Sequence, residues 1–264
     1  QAGIPPDALQ LIPAGADVGQ ALVTDPLLRG VVFTGSTVAA RSIAQALAAK
    51  AGPLIPLIAE TGGINAMIVD SSALTERVVD DVMTSAFQSA GQRCSALRIL
   101  YLQEDIAPDM IDMLKGAMDE LAIGDPGRIE TDVGPVIDDA AHRRLTERLS
   151  SGIGTILHQR TLPTDCDHGW FVAPHLVALK HPSELKDEVF GPILHVVRWQ
   201  ADHLDTAIDA INATGYGLTL GVHTRIGHTV ERVRARARVG NLYVNRSMIG
   251  AVVGVQPFGG EGLS

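Results

Sequence analysis

Short apolar runs alternate with stretches of helical periodicity along most of this chain, and that rhythm restricts its fold more than any other feature. Gly30-Val31-Val32-Phe33 reads as a buried strand, residues 38–50 as a helix, and residues 54–58 and 66–69 as strands. Thr75 reads as the cap of a helix with Val78, Val79, Val82, Met83, Ala86 and Phe87 inward and Glu76, Asp80 and Asp81 outward. Ahead of these, short helices are expected at residues 5–9 and 18–24 and a short strand at 9–12. After residue 94 come expected strands at 99–103, 154–158, 193–199, 218–223 and 241–244, with an extended, broken stretch at 169–177. Helices are expected at 106–121, 138–151, 202–212 and 226–238, the last of them basic. Strand, helix, strand in this order predicts an α/β fold with a parallel sheet and helical crossovers. A change of role is expected near residues 90–96, between the end of a nucleotide-binding domain and a second α/β domain.

The totals narrow the function classes. Of 264 residues, 46% are hydrophobic and 19% charged, enough for a sizeable core. A net charge of −9 argues against nucleic acid or an anionic membrane as the main partner. No apolar run reaches the length of a membrane span, and Gln1-Ala2-Gly3-Ile4-Pro5 has neither the charged nor the apolar region of a signal peptide. Two cysteines are too few for a disulfide scaffold, which favours a reduced, cytoplasmic setting. The chain lacks an initiator Met and stops in the loop Phe258-Gly259-Gly260-Glu261-Gly262-Leu263-Ser264, so it is expected to be a piece of a longer polypeptide.

Two stretches suggest chemistry. Cys94 stands in Ala90-Gly91-Gln92-Arg93-Cys94-Ser95, a polar lead-in rather than a core run. Free Cys usually behaves as a small buried apolar residue, but a neighbouring Arg and a nearby helix end favour a thiolate. Glu60, before Thr61-Gly62-Gly63, is either a solvated carboxylate at a strand end or a base that activates water. Gly35-Ser36 lies between a strand and a helix, where backbone N–H groups can meet a phosphate or simply make the turn. Glu188-Val189-Phe190-Gly191-Pro192 is a compact turn before a strand, and Cys166 sits in an acidic loop as an incidental thiol. Neither Cys nor the nine His residues show metal-site spacing, so no metal is expected. A Cys-His hydrolase stays open on these residues alone, as does a non-catalytic binding or assembly module.

Taken in order, Phe33-Thr34-Gly35-Ser36, Glu60-Thr61-Gly62-Gly63-Ile64-Asn65, Gly91-Gln92-Arg93-Cys94, Glu188-Val189-Phe190-Gly191-Pro192 and Pro257-Phe258-Gly259-Gly260 resemble the aldehyde dehydrogenase superfamily. Within it, Ser89 to Arg98 and Asn245 to Ser264, with Ile249-Gly250-Ala251-Val252-Val253-Gly254, are most similar to Δ1-pyrroline-5-carboxylate (L-glutamate γ-semialdehyde) dehydrogenases. The nearest likeness is the dehydrogenase part of bifunctional bacterial proline-catabolic enzymes. The resemblance implies the end of a Rossmann-type NAD-binding domain over residues 1–90 and a catalytic domain over 91–245. Residues 246–264 would form a segment that returns to the first domain or crosses to a partner.

It also implies roles. Cys94 is the nucleophile and Glu60 the base that activates water. Gly35 and Ser36 face the NAD pyrophosphate, Glu188 binds the nicotinamide ribose, and Phe190 packs near the nicotinamide. Ser95 and the backbone of Gly250 and Ala251 hold a substrate carboxylate, and Phe258 covers its aliphatic part. Some relatives carry Ser where Ala251 stands, so only backbone help is expected there. A homo-oligomer is implied, as is a proline dehydrogenase domain with FAD elsewhere in the parent chain. A dehydrogenase for another aldehyde is the rival within this family. The family's early Asn, its second oxyanion donor, and its adenine-ribose Lys lie in stretches absent here, so the 264-residue chain alone is expected to be nearly inactive.

Overall fold

The structure, a computed structural model, describes residues 3–252 and 254–264. Gln1 and Ala2 of the opening stretch and Val253 of the closing loop lie outside the described residues. The chain divides into two compact units, Gln1–Thr61 and Gly62–Ser264.

The first unit carries α1 (Ala16–Thr24), β1 (Val31–Thr34), α2 (Thr37–Ala48) and β2 (Leu57–Glu60). Strands β1 and β2 pair in parallel from Val31↔Leu57 to Thr34↔Glu60, a right-sized strand–helix–strand unit. Ser36 is the N-cap of α2, its Oγ accepting from Ala39 N at 3.2 Å. Lys50 Nζ donates to the Asp25 carbonyl at 2.5 Å and joins the ends of both helices. The strand expected at residues 9–12 is absent: Leu9 and Leu11 are exposed and have no ladder partner among the described residues. Apolar content alone does not make a strand without a neighbour to bond.

In the second unit, β3 (Asn65–Val69), α3 (Thr75–Phe87), β4 (Leu97–Gln103) and α4 (Ala107–Asp119) come first. Next come α5 (Asp139–Ser150), β5 (Thr155–Gln159), β6 (His175–Ala178) and β7 (Ile193–Trp199). Last come α6 (Leu204–Asn212), β8 (Tyr216–Gly217), β9 (Thr219–His223), α7 (Gly227–Arg236), β10 (Asn241–Val244) and β11 (Glu261–Gly262). Seven strands form one sheet in the order β10-β9-β3-β4-β7-β6-β5, parallel except for the antiparallel edge strand β5. Every residue of β3, β4 and β9 is buried, which explains why they read as continuous apolar runs rather than alternating ones.

Residues 62–90, read from the sequence with the nucleotide-binding part, lie in the second unit because β3 pairs with both β4 and β9. The closing segment also stays there. Antiparallel β11 pairs with β8, and Asn241 Nδ2 donates to the Gly259 carbonyl at 2.8 Å. Two details of α3 differ from expectation. Leu74 is the N-cap, without a side-chain bond, and Thr75 is the first helical residue. Asp81, expected outside, is buried, 2.9 Å from Arg77 Nε and 3.6 Å from His223 Nε2. Its charge is tolerated inside because a cation sits one turn earlier. The basic helix α7 is neutralised across the surface, Arg232 by Asp205 at 2.7 Å and Arg236 by Asp209 at 2.6 Å.

His195 in β7 is 2% exposed, its Nδ1 3.1 Å from the Arg98 carbonyl. Burial pulls it down to about 4, with the Arg148 and Arg98 charges adding to the fall. An unfolded His titrates near 6.5. Between these values the unfolded chain binds the extra proton, so stability declines as pH falls, by about 3 kcal/mol in all. His195→Gln is therefore expected to flatten the fall in melting temperature between pH 7 and 5. An unchanged slope contradicts a neutral, buried His195.

Candidate active site

Of the second unit's segments singled out by sequence, those around Gly62, Cys94 and Glu188 gather at one end of the large sheet. In parallel strands, the residues that lead into each strand gather at the same end. Gly62-Gly63 lead into β3, Cys94-Ser95 into β4, Glu188 to Gly191 into β7, and Leu218 into β9. Pairing begins at Asn65↔Leu97 and at Ile99↔His195, with a one-residue register shift between β3 and β4 after Asn65.

The Cys94 turn is built by an unusual backbone. Ser89, Ala90 and Gly91 have φ of 57°, 53° and 66°, three successive left-handed residues after α3. Gly91 has no alternative here, since a Cβ would lie 2.3 Å from the Gly191 carbonyl oxygen. The chain then makes a turn closed by Ala96 N to the Arg93 carbonyl at 3.0 Å, with Cys94 half-buried at its crest. Gln92 braces the approach, donating to the Pro135 carbonyl at 3.2 Å and accepting from Ile137 N at 2.9 Å.

Three side chains that sequence reasoning did not assign hold this turn. Asn65 Nδ2 donates to the Cys94 carbonyl at 2.6 Å and the Ala96 carbonyl at 2.9 Å, while its Oδ1 accepts from Thr219 N at 3.2 Å. Thr219 Oγ1 donates to the Ser95 carbonyl at 3.2 Å. Arg98, fully buried in β4, donates from Nη1 to the Gly91 carbonyl at 2.7 Å and from Nη2 to the Arg93 carbonyl at 3.0 Å. The signal was present: Arg98 is the lone charge in Leu97-Arg98-Ile99-Leu100-Tyr101-Leu102, and a buried charge demands partners.

Glu188 is one of those partners, its Oε1 3.1 Å from Arg98 Nη2. Burial raises its pKa, while Arg98 and the Gly63 N–H pull it down. The close approach requires Gly62, where a Cβ would meet Glu188 Oε2 at 2.1 Å. Phe190 lies over the Arg98 guanidinium, 5.3 Å from ring centroid to Cζ, and is itself exposed. Ser95 is buried beside Cys94. The loop after β10 starts with Met248 N donating to Ser85 Oγ at 3.1 Å, so buried Met248 and Ile249 anchor the exposed Gly250 (φ 82°) and the half-buried Ala251. Phe258 precedes the Gly259 carbonyl held by Asn241.

In the first unit, the Gly35 N–H donates to the Glu60 carbonyl at 3.1 Å, joining the ends of β1 and β2. Glu60 Oε2 is shielded from solvent and lacks a hydrogen-bond partner among the described residues. Such a buried, unpaired carboxylate oxygen calls for a functional explanation. Cys166 is buried, and its acidic loop holds its thiol above the usual range, chiefly through burial. No cluster of His, Cys, Asp or Glu among the described residues could hold a metal.

The sequence profile of the aldehyde dehydrogenase family matches residues 1–264. The chain belongs to the aldehyde dehydrogenase family. It is 55% identical to the bifunctional protein PutA of Klebsiella aerogenes, over all of this chain and 21% of that protein. It is 36% identical to the 1-pyrroline-5-carboxylate dehydrogenase of Geobacillus thermodenitrificans, over all of this chain and 52% of that one. The chain thus spans about a fifth of the first relative's length and about half of the second's. A crystal structure of a Bradyrhizobium japonicum PutA variant matches with a TM-score of 0.95 at 57% identity, over all of this chain and 27% of that one. A 1-pyrroline-5-carboxylate dehydrogenase from Thermus with bound NAD matches with a TM-score of 0.92 at 32% identity, over 99% of this chain and 51% of that one. The α/β fold is therefore that of the family.

Asn65→Ala would strand two buried carbonyls and one amide N–H. It is expected to cost about 2 kcal/mol, read as a lower denaturant midpoint. An unchanged midpoint contradicts the tether.

Proposed function

We propose that this chain forms part of an NAD-dependent dehydrogenase that oxidises L-glutamate γ-semialdehyde, the open form of Δ1-pyrroline-5-carboxylate, to L-glutamate in proline catabolism. The observation that carries this reading is the half-buried Cys94 on its clamped turn, beside Ser95 and joined through Arg98 to Glu188. The likeness to a PutA and to a 1-pyrroline-5-carboxylate dehydrogenase selects the substrate.

The residues fit the dinucleotide. A strand–Gly35–Ser36–helix turn suits a pyrophosphate, because first-turn N–H groups and the helix dipole favour anions. Glu188 offers a carboxylate to ribose hydroxyls, and the exposed Phe190 a surface for a planar ring. NAD, when bound, supplies the acceptor for the aldehyde hydride. The chain's own residues do the rest. Cys94 Sγ adds to the aldehyde carbon to give a thiohemiacetal, with the Cys94 N–H facing the developing oxyanion. Oxidation leaves a thioester on Cys94. Glu60 takes a proton from water, the resulting hydroxide attacks the thioester carbon, and glutamate leaves as the thiol is restored.

The Ser95 hydroxyl and the N–H groups of Gly250 and Ala251 receive the substrate carboxylate, and Phe258 covers its methylenes. Ala251 brings no hydroxyl, so the backbone works alone there. In this reading residues 1–61 supply the pyrophosphate turn and Glu60, and the second unit supplies the thiol, Glu188, Phe190 and the substrate loops. The parent protein adds a proline dehydrogenase domain with FAD, works in the cytoplasm and forms a homo-oligomer. Among the described residues no helix is long and apolar enough to cross a membrane.

The test uses the full natural polypeptide and NADH absorbance. Cys94→Ala is expected to abolish turnover. Ser95→Ala is expected to raise the KM for glutamate semialdehyde about tenfold, one lost charge-assisted bond, and to leave propanal little changed. Equal effects on both aldehydes would exclude a carboxylate-binding role for Ser95.

A further inference from the structure

We propose that Arg98 is a positioning residue that couples Glu188 to the Cys94 turn, so that gripping the dinucleotide ribose and presenting the thiol are one mechanical event. This rests on the dehydrogenase reading and goes beyond it, because no role in that chemistry calls for Arg98.

Arg98 has no exposed side-chain surface, and a buried cation is strongly destabilising unless it is paired. An apolar residue would suit the run Leu97 to Leu102 better. Burial lowers the guanidinium's pKa, and the Glu188 and Cys94 charges oppose that fall. Its Nε has no hydrogen-bond partner among the described residues, so the placement is not optimised for its own stability.

What the fork achieves is a span. On one side it holds the carbonyls of Gly91 and Arg93, which flank the approach to Cys94. On the other it meets Glu188 Oε1 and, at 3.4 Å, the Gly191 carbonyl, with Phe190 across its face. Two loops that enter neighbouring strands β4 and β7 are thereby locked at five points by one rigid plane. A lysine cannot reproduce this, since an ammonium is a point charge without the fork. Moving Glu188 must move Arg98, and moving Arg98 must shift the carbonyl immediately before Cys94.

The experiment uses Arg98→Lys, Glu188→Ala and the double variant in the full natural polypeptide. Three quantities are read: the NAD dissociation constant, the rate of Cys94 alkylation by iodoacetamide without NAD or aldehyde, and the melting temperature. Alkylation is followed on the Cys94 peptide by mass spectrometry, so buried Cys166 does not interfere. Arg98→Lys is expected to weaken NAD about tenfold and slow alkylation about tenfold. The double variant is expected to bind NAD no more weakly than the worse single one, because both changes break one link. Additive losses in NAD affinity, or a lower melting temperature with alkylation unchanged, would overturn the proposal.

If Arg98→Lys does not fold, Glu188→Ala decides. Its loss removes an anion from the Cys94 neighbourhood, which by charge alone would speed alkylation. Positioning predicts that alkylation slows, and an unchanged or faster rate overturns the proposal. Alkylation requires neither substrate nor cofactor, so it stands apart from the dehydrogenase reading. That reading fails if the unaltered protein makes no NADH from any aldehyde.

Discussion

Parallel pairing of β3 with β4, and of β4 with β7, is the constraint on which the rest of the second unit depends. Parallel strands need crossover helices, and α3 supplies the one between β3 and β4. The same geometry gathers the segments before these strands at one edge. Open α/β sheets usually place ligands at the carboxyl ends of their strands. Here the thiol, its neighbour Ser95 and the Glu188 turn all stand at the amino ends instead. The strand-leading loops pack closely at this end, which explains why glycines crowd there. Gly62 yields to Glu188, and Gly91 to the Gly191 carbonyl.

A loop edge of this kind would be too mobile for covalent chemistry without internal ties. Asn65 and Arg98 provide them from the starts of β3 and β4, Arg98 at the irregularity where the register steps from Asn65↔Leu97 to Ala66↔Ile99. Asn65 satisfies two carbonyls of the Cys94 turn and one amide of β9. Arg98 reaches both sides of the site from a strand without exposed residues. Thus two buried polar groups of the core are also supports of the Cys94 turn. Charge burial and site rigidity are the same feature, as pre-organised sites require.

Much of this was legible in the sequence, because the core strands are long and apolar. The strands at Ile193–Trp199 and Asn241–Val244 fall at the expected residues, and the other shared elements shift by a few positions at their ends. The parallel sheet follows from strand–helix order alone. What sequence left unseen depends on partners far along the chain. Asn65 meets Thr219 across 154 residues and Arg98 meets Glu188 across 90, so neither role has a local signature. Residues 9–12 look like a strand but have nothing to pair with. Asp81 looks exposed by helical phase, yet Arg77 and His223 receive it inside. The closing segment was expected to leave for another domain or a partner. Within the second unit, its β11 pairs with β8.

In the proposed chemistry Cys94, on the turn held by Asn65, Thr219 and Arg98, is the group that becomes acylated. Rapid-quench mass spectrometry of the full natural polypeptide carrying Glu60→Gln, mixed with NAD and glutamate semialdehyde, tests it most directly. Slowed hydrolysis should let one acyl group per site accumulate, on the peptide containing Cys94. No adduct, or an adduct on any other residue, would contradict the account.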